Sequence, residues 1–293
     1  MWPDNAFYVV TAYALGAVLL AWLYFRRFRV TRPPIGVFNL RDVTLMIGAI
    51  VLVPYLYLAF PPWLEATLLG LGLLTILQVT FEPGLAWRWT SWPVALALLG
   101  ADLGAALVFG AQSTPFVIAN NCVLAIAVAG AANLWIQSGM KARDLTLLGA
   151  VLTVYDFVAT LILPLMNDLT DRLAGLPFAP QMTWASSDNR WLAVGLGDLL
   201  LTAAFPLVMR KAFGRKAGRV ALTLGLLTLA TMLALVDVHS VGVNVPAMVV
   251  LGPLMVAQYL FWARRFSSER TTWQYLQTEP LRNNAGNSRT IAS

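Results

Sequence analysis

The chain has 293 residues, of which 59% are hydrophobic and 12% are charged, and its formal net charge is +6. An ordinary soluble domain carries about 25% charged residues, so this composition excludes a soluble globular protein and predicts an integral, multi-pass membrane protein. The positive excess is expected to orient loops and does not indicate nucleic acid as a partner. One cysteine and one histidine exclude an intrachain disulfide and any metal site built on clusters of these residues.

Nine apolar runs have the length of about 17–25 residues that crosses a bilayer as a helix. In chain order the runs cover 6–25, 43–60, 64–81, 92–110, 115–137, 145–166, 191–209, 220–237 and 245–262. The predicted fold class is therefore all-α, a bundle of nine transmembrane helices.

Lysine and arginine alternate between the segments that join these runs. Of the 20 such residues, 18 lie in five alternate segments, which are 26–42, 82–91, 138–144, 210–219 and 263–293. The other segments hold only Arg172 and Arg190. Because positively charged loops stay in the cytoplasm, we expect the N-terminus outside and the C-terminus in the cytoplasm. The pattern is typical of a protein of the bacterial or archaeal inner membrane, and a location in an internal eukaryotic membrane is the alternative.

Three aspartates, Asp102, Asp156 and Asp198, lie deep within the predicted spans. A carboxylate at such a depth is unfavourable by about 3 kcal/mol and therefore indicates a function. At about 1.5 Å per helical residue, Asp156 is expected about 15 Å and Asp198 about 10 Å below the outer surface. Spans six and seven are consecutive and antiparallel, so these two carboxyls can face each other.

A facing pair of carboxyls has two known uses. The two groups cannot both ionise readily, so they share a proton and titrate as a coupled pair. One can then act as a base on water while the other polarises a carbonyl oxygen, as in aspartic proteases. Carboxyls at mid-membrane also serve proton- or ion-coupled transporters, and the aspartates alone favour that use.

The sequence around the aspartates reverses this preference. Three motifs occur in order, one in each of spans six, seven and nine: Tyr155-Asp156, Gly195-Leu196-Gly197-Asp198 and Pro246-Ala247-Met248. They resemble the Tyr-Asp, Gly-x-Gly-Asp and Pro-Ala-Leu motifs of the presenilin and signal peptide peptidase family of intramembrane aspartyl proteases. The resemblance covers mainly residues 145–262, and the predicted direction is similar to that of the signal peptide peptidase branch. Met248 replaces the usual leucine, and Val245 stands where many relatives have glutamine.

The resemblance implies an aspartic endopeptidase that hydrolyses peptide bonds within transmembrane segments or signal-peptide remnants. The family member is expected to be prokaryotic, with the lipid bilayer and transmembrane helical proteins or peptides as its partners. It implies Asp156 and Asp198 as the catalytic dyad, water as the nucleophile, and no metal or other cofactor. It assigns the remaining motif residues to substrate binding or to shaping the site, and these are Tyr155, Gly195, Leu196, Gly197, Pro246, Ala247 and Met248. Residues 1–144 would form scaffold spans one to five, 145–262 catalytic spans six to nine, and 263–293 a disordered cytoplasmic tail.

Two alternatives stay open. A transporter or channel would use Asp102, Asp156 and Asp198 as a proton or cation path, and a catalytically silent relative would bind membrane helices without cutting them. The asparagines of span five, Asn120, Asn121 and Asn133, are predicted to form hydrogen bonds between helices. In the protease, we expect an unwound substrate to pair as a strand with the 167–190 loop or with backbone near Pro246.

Overall fold

The structure is a computed structural model. It describes residues 5–30, 40–85, 87–163, 165–173, 176–186, 191–239, 246–266, 268–272 and 274–275. The first six helices are α1 (Asn5–Arg27), α2 (Leu40–Ala59), α3 (Pro62–Phe81), α4 (Ser91–Phe109), α5 (Thr114–Gln137) and α6 (Ala142–Phe157). The remaining elements are α7 (Leu165–Leu173), β1 (Gln181–Ala185), β2 (Trp191–Gly195), α8 (Leu196–Phe213), α9 (Arg215–His239) and α10 (Met248–Arg265).

Each of the nine predicted runs overlaps one long helix, so the predicted helical, multi-pass class is confirmed. Within the described ranges, seven helices are long and apolar enough to cross a membrane, namely α1 to α6 and α9. The other two long helices, α8 and α10, have 18 residues each and carry charged residues within that length. Helix α8 contains Asp198, Arg210 and Lys211, and α10 ends in Arg264 and Arg265.

The core lies where α5 and α8 pack against α1, α6 and α9. From Leu199 to Phe213 almost every side chain of α8 is buried. Helices α6 and α10 approach so closely that a Cβ on Gly252 would collide with the hydroxyl of Thr153 and lie 2.8 Å from the carbonyl oxygen of Gly149. Small residues at such crossings are typical of helix packing in membranes. The peripheral helices α2 to α4 turn apolar side chains outward, as lipid contact requires.

The backbone is irregular between α6 and α8. The α-helical hydrogen bonding of α6 ends at Phe157. One π-helical turn, Val158–Ile162, follows it, and Leu163 is extended. The prediction that residues 191–195 begin the seventh helix is wrong, because they form strand β2. Gly195 and Gly197 weaken a helix at this point, and the preceding residues gain backbone hydrogen bonds by pairing with β1.

Strands β1 and β2 form a two-stranded antiparallel sheet in which Gln181 lies opposite Gly195 and Thr183 lies opposite Ala193. Strand β2 passes directly into α8, and Gly195 is at once the last residue of the strand and the extended N-cap of the helix. Asp198 therefore lies in the first turn of α8, and not seven residues within a helix as the sequence predicted.

The segment after α10 packs against helix ends. The Glu269 carboxylate accepts hydrogen bonds from the backbone N–H groups of Ala142 (3.0 Å) and Arg143 (3.1 Å) at the start of α6. The buried ring of Tyr275 stacks on Phe25 of α1 with ring centres 5.6 Å apart. The sequence predicts a disordered tail from residue 263, whereas the structure has ordered contacts as far as Tyr275. Residues 276–293 lie outside the described residues.

Candidate active site

Asp156 lies at the end of α6 and accepts hydrogen bonds from two elements. Its Oδ1 accepts from the Thr160 hydroxyl in the π-helical turn (3.2 Å), and its Oδ2 accepts from the backbone N–H of Met248 (3.1 Å). Met248 is the first residue of α10, and the first N–H groups of a helix have no partner within the helix. The N-cap, Ala247, has no side-chain acceptor to offer. The Asp156 carboxylate therefore caps α10 and is oriented by it.

The start of α10 is also fastened to α6 by a side chain. The Thr153 hydroxyl lies 3.2 Å from the carbonyl oxygen of Met248 and 2.8 Å from that of Gly149. Pro246 immediately precedes this turn, and its carbonyl oxygen accepts from the N–H of Val249 (3.2 Å). The Pro246-Ala247-Met248 motif thus opens the last long helix and lies beside Asp156.

Asp198 is the third residue of α8, where the partial positive charge of a helix N-terminus favours a carboxylate. Its Oδ2 would lie 3.6 Å from a Cβ built on Gly195. The carboxylate therefore turns back over the junction between β2 and α8. The position of this side chain depends directly on where β2 ends.

Asp156 and Asp198 line one cavity of about 800 Å³, and their carboxyls interact electrostatically. Strand residues on its wall include Gln181, Thr183, Ala193 and Gly195, and α9 contributes an apolar side of Leu229, Met232, Leu233 and Val236. Further lining residues are Phe116 and Asn120 of α5, Thr160, Met166, Thr170 and Asp171, and Pro246 and Ala247. The cavity combines two acids, strand backbone and a broad apolar surface.

The structure brings together part of the set of site residues predicted from the motifs. Asp156, Asp198, Gly195, Pro246 and Ala247 all line the cavity.

Met248 contributes its backbone N–H to Asp156, while its side chain is buried in the core. Tyr155, Leu196 and Gly197 are not part of the cavity wall. Tyr155 packs against the core, and the N–H of Leu196 donates to the carbonyl oxygen of Pro180 (2.9 Å).

Other residues at the site are not identified by the sequence motifs. The position of Thr160 could be predicted from the sequence, because residues four apart on a helix lie on the same face and Thr160 follows Asp156 by four. Helix α7 falls in the predicted 167–190 loop and contributes Thr170 and Asp171 to the cavity. Leu165, Leu169 and Leu173 recur every four residues in this segment, which is the helical signal that was available.

Helix α7 is held against the bundle by a partly buried ion pair. The Arg172 guanidinium donates to Glu65 Oε1 from Nε (3.0 Å) and Nη2 (2.9 Å), and Nη2 also donates to the carbonyl oxygen of Phe60 (2.7 Å). Glu65 is fully buried in the first turn of α3. The pair fixes α7 at the rim of the cavity.

Asp102, the third intramembrane carboxyl, lies outside this cavity. It is fully buried on α4, and its Oδ2 accepts a hydrogen bond from the backbone N–H of Phe178 (3.2 Å). Farther from the hairpin along α6 and α8, fully buried apolar side chains include Leu145, Leu148, Leu207 and Met209. Among the described residues, the polar side chains that line the cavity lie at its hairpin end.

No protein-family model matches the sequence, and no curated protein does. Among solved structures, the chain is similar to a presenilin family intramembrane aspartate protease, with a TM-score of 0.58 and 16% sequence identity. The match covers 89% of this chain and 99% of that chain. Similarity at this identity shows a shared fold, so the resemblance seen in the three motifs is confirmed at the level of the fold.

Proposed function

We propose that this protein is an intramembrane aspartic endopeptidase that hydrolyses peptide bonds within transmembrane segments, with Asp156 and Asp198 as its catalytic dyad. The observation that carries the proposal is the placement of both carboxyls on one cavity, next to Gly195 and Pro246 of the other motifs. The presenilin-like fold supports the same general kind of activity.

The two carboxyls suit the general acid–base mechanism of aspartic proteases. One carboxylate takes a proton from a water molecule, which attacks the carbonyl carbon of the substrate, while the protonated partner donates a hydrogen bond to the carbonyl oxygen. A proton is then delivered to the leaving nitrogen as the C–N bond breaks. Thr160 and the N–H of Met248 hold Asp156 in a fixed orientation for these transfers. No metal, nucleotide or covalent intermediate enters this scheme.

The hairpin supports a specific mode of substrate binding. Both backbone polar groups of Thr183 bond to the side chain of Asn121. The Thr183 carbonyl oxygen accepts from Asn121 Nδ2 (2.9 Å), and the Thr183 N–H donates to Asn121 Oδ1 (3.1 Å). Residues of antiparallel strands alternate between bonding the partner strand and pointing away from it. Thr183 and its partner Ala193 are therefore a non-hydrogen-bonded pair, and the N–H and C=O groups of Ala193 and Gly195 point to the outer edge of β2.

An unwound substrate pairs with this outer edge, because the edge of β1 is already occupied by α5. This mode replaces the expected pairing with the 167–190 loop by pairing with β2, which directly follows that loop, lines the cavity and ends three residues before Asp198. Strand addition supplies backbone hydrogen bonds without regard to sequence, and side-chain pockets supply selectivity. Deleting residues 187–190, so that β2 is displaced, is expected to abolish cleavage of a helical substrate, whereas intact cleavage would contradict this mode.

We extend the proposal to topology. All nine long helices cross the membrane, with the N-terminus outside, the C-terminus in the cytoplasm and the dyad in the outer half. The distribution of 18 of 20 lysines and arginines on one side supports it. In a Cys122→Ser background, an impermeant thiol reagent should label Asp168→Cys from outside and should leave Lys216→Cys unlabelled. The reverse pattern would contradict the orientation.

The transporter or channel alternative has less support. Its path would need Asp102 as well as the dyad, and Asp102 lies outside the cavity. A silent binder would share the geometry of the site, so only an activity measurement separates it from the protease.

The test is cleavage of a single-span reporter by purified protein, with Asp156→Ala and Asp198→Ala beside wild type. Asp168→Ala is the matched control, because Asp168 is exposed on α7 and does not line the cavity. Cleavage by wild type and the control, lost in both dyad variants, is the expected result. Absence of cleavage by wild type across several reporters and pH values would overturn the proposal in favour of a transporter or a catalytically silent binder.

A further inference from the structure

We propose that Asp102, Asn120 and Asn121 are positioning residues that set the register of the β1–β2 hairpin and so place Asp198 and the outer edge of β2. This proposal rests on the proposed function, because it concerns the geometry of the same site. None of the three belongs to the motifs that indicate the dyad, and their partners are all backbone groups between Phe178 and Thr183.

The first anchor is Asp102, at the loop that leads into β1. Among the described residues, Phe178 is the one non-glycine residue in the left-handed region, with φ of 64°. A bulky residue adopts this conformation only when its surroundings hold it there. Here the Phe178 N–H donates to Asp102 Oδ2 at 3.2 Å, and its ring packs against Gly70, where a Cβ would lie 3.0 Å from the ring edge.

The second anchor is formed by two consecutive asparagines of α5. Asn120 Nδ2 donates to the carbonyl oxygens of Ala179 (3.1 Å) and Gln181 (3.2 Å). Asn121 holds Thr183 through both of its backbone groups, as a neighbouring strand would. Both asparagines are buried on a helix that forms part of the core. Helix α5 thus replaces a third strand at the edge of β1.

These anchors select which residues of β2 face the cavity. Because Gln181 and Thr183 turn their backbone groups to α5, Met182 and Trp184 turn theirs to β2. A shift of register by one residue would exchange the two edges and the two faces of β2. It would also move Gly195, the N-cap of α8, and with it Asp198. The anchors therefore act on the reaction through the hairpin.

The contacts distinguish positioning from chemistry and from simple helix association. Asp102 serves as an acceptor for one N–H and does not line the cavity, so an amide can replace its carboxylate. Asn133 is the contrasting case on α5, because its Nδ2 donates to the carbonyl oxygen of Ala21 in α1 (3.0 Å). Asn133 forms a bond between helices, as the sequence predicted for all three asparagines, whereas Asn120 and Asn121 bind the hairpin.

The register can be measured without any activity. In the full-length protein with Cys122→Ser, the pair Thr183→Cys and Ala193→Cys should form a disulfide, because opposed Cα atoms of a non-hydrogen-bonded pair lie about 4.5 Å apart. The slipped pair Thr183→Cys and Leu192→Cys should not form one. Adding Asn121→Leu or Asp102→Leu should lower the native cross-link by about fivefold or more and raise the slipped one. Asp102→Asn and Asn133→Leu should leave both yields unchanged.

Cleavage is then measured in the same four variants without the added cysteines. We expect kcat to fall about tenfold or more in Asn121→Leu and Asp102→Leu, in step with the cross-link, because Asp198 is displaced. Asp102→Asn should keep kcat and the pH profile of the wild type. Unchanged cross-links in both leucine variants would overturn the proposal, and so would loss of activity in Asp102→Asn with the cross-link intact. If the wild type cleaves nothing, the proposed function fails, while the cross-link comparison still decides on the register.

Discussion

At the scale of single residues, the two aspartates differ in what holds them. Asp156 is fixed by a hydroxyl four residues away and by an N–H 92 residues away, whereas Asp198 depends on the junction between β2 and α8. The motifs predicted both carboxyls, since each motif is local in sequence. They could not predict the Met248 contact as a hydrogen bond, because it depends on how α10 packs on α6. The motif positions Tyr155, Leu196 and Gly197 remain predictions as site residues.

Thr160 should matter for the rate of cleavage. Thr160→Val removes the hydroxyl that donates to Asp156 and keeps the volume of the side chain, so kcat should fall about tenfold, the usual effect of losing one hydrogen bond to a charged group. Thr160→Ser retains the hydroxyl and should stay close to wild type. The measurement is the initial rate at saturating reporter, and equal rates for Thr160→Val and wild type would contradict this role.

Gly195 should matter for binding of substrate and little for stability. A Cβ at Gly195 meets only Asp198 Oδ2 at 3.6 Å, an ordinary contact, and the residue lines the cavity at the edge of β2. Gly195→Ala should therefore keep the thermal unfolding midpoint and raise KM several-fold, because its methyl group occupies space meant for the substrate strand. Gly100→Ala on α4 is the control, since a Cβ there meets nothing within 4 Å among the described residues and Gly100 does not line the cavity. An unchanged KM in Gly195→Ala would show that substrate does not approach this edge.

At the scale of elements, the helices could be predicted and the hairpin could not. Apolar runs of bilayer length identify helices without knowledge of their neighbours. The five residues of β2 are as apolar as a helix end, and short apolar runs do not distinguish strand from helix. Their conformation is decided by β1, by Asn121 and by the glycines that follow. The π-helical turn after α6 could not be predicted either, because its hydrogen bonds depend on local packing around Asp156.

The crossing of α6 and α10 gives a prediction for Gly252. In Gly252→Ala the new methyl group collides with Thr153 and with the backbone of Gly149, so α10 must move away from α6. We expect the free energy of unfolding to fall by about 1–3 kcal/mol, as for other overpacked sites. Cleavage should fall as well, because Met248 moves from Asp156. The control is Gly104→Ala on α4, where a Cβ meets no described residue within 4 Å. Equal thermal stability of the two variants would contradict this packing.

At the scale of the whole molecule, the sequence predicted a helical, multi-pass membrane protein, and the fold similarity agrees with the family indicated by the motifs. The spans one to five carry no motif, yet the similarity covers 89% of the chain. The segment after α10 is the main departure at this scale. Its polar composition predicts disorder, but Glu269 and Tyr275 find partners on α6 and α1 that composition cannot reveal.

A substitution at Lys211 tests whether the segment after α10 stabilises the end of the bundle that it contacts. The buried ammonium group donates to the carbonyl oxygens of Ile136 and Met140 at the end of α5, and to the hydroxyl of Thr272 (3.2 Å). Lys211→Met removes these three hydrogen bonds within a buried site, so the free energy of unfolding should fall by about 2 kcal/mol. Lys216→Met, at an exposed position five residues away, should have no measurable effect. Equal melting temperatures would show that the contacts of Lys211 do not stabilise the fold.

In the proposed function, Asp156 and Asp198 act together on a peptide bond within the membrane. The most direct measurement combines photo-cross-linking of a single-span reporter to the reconstituted protein with mass spectrometry of the products, for wild type, Asp156→Asn and Asp198→Asn. We expect that all three forms bind the reporter, that only the wild type cuts it, and that the new ends lie in the outer half of the span. Cleavage by either asparagine variant would contradict the dyad.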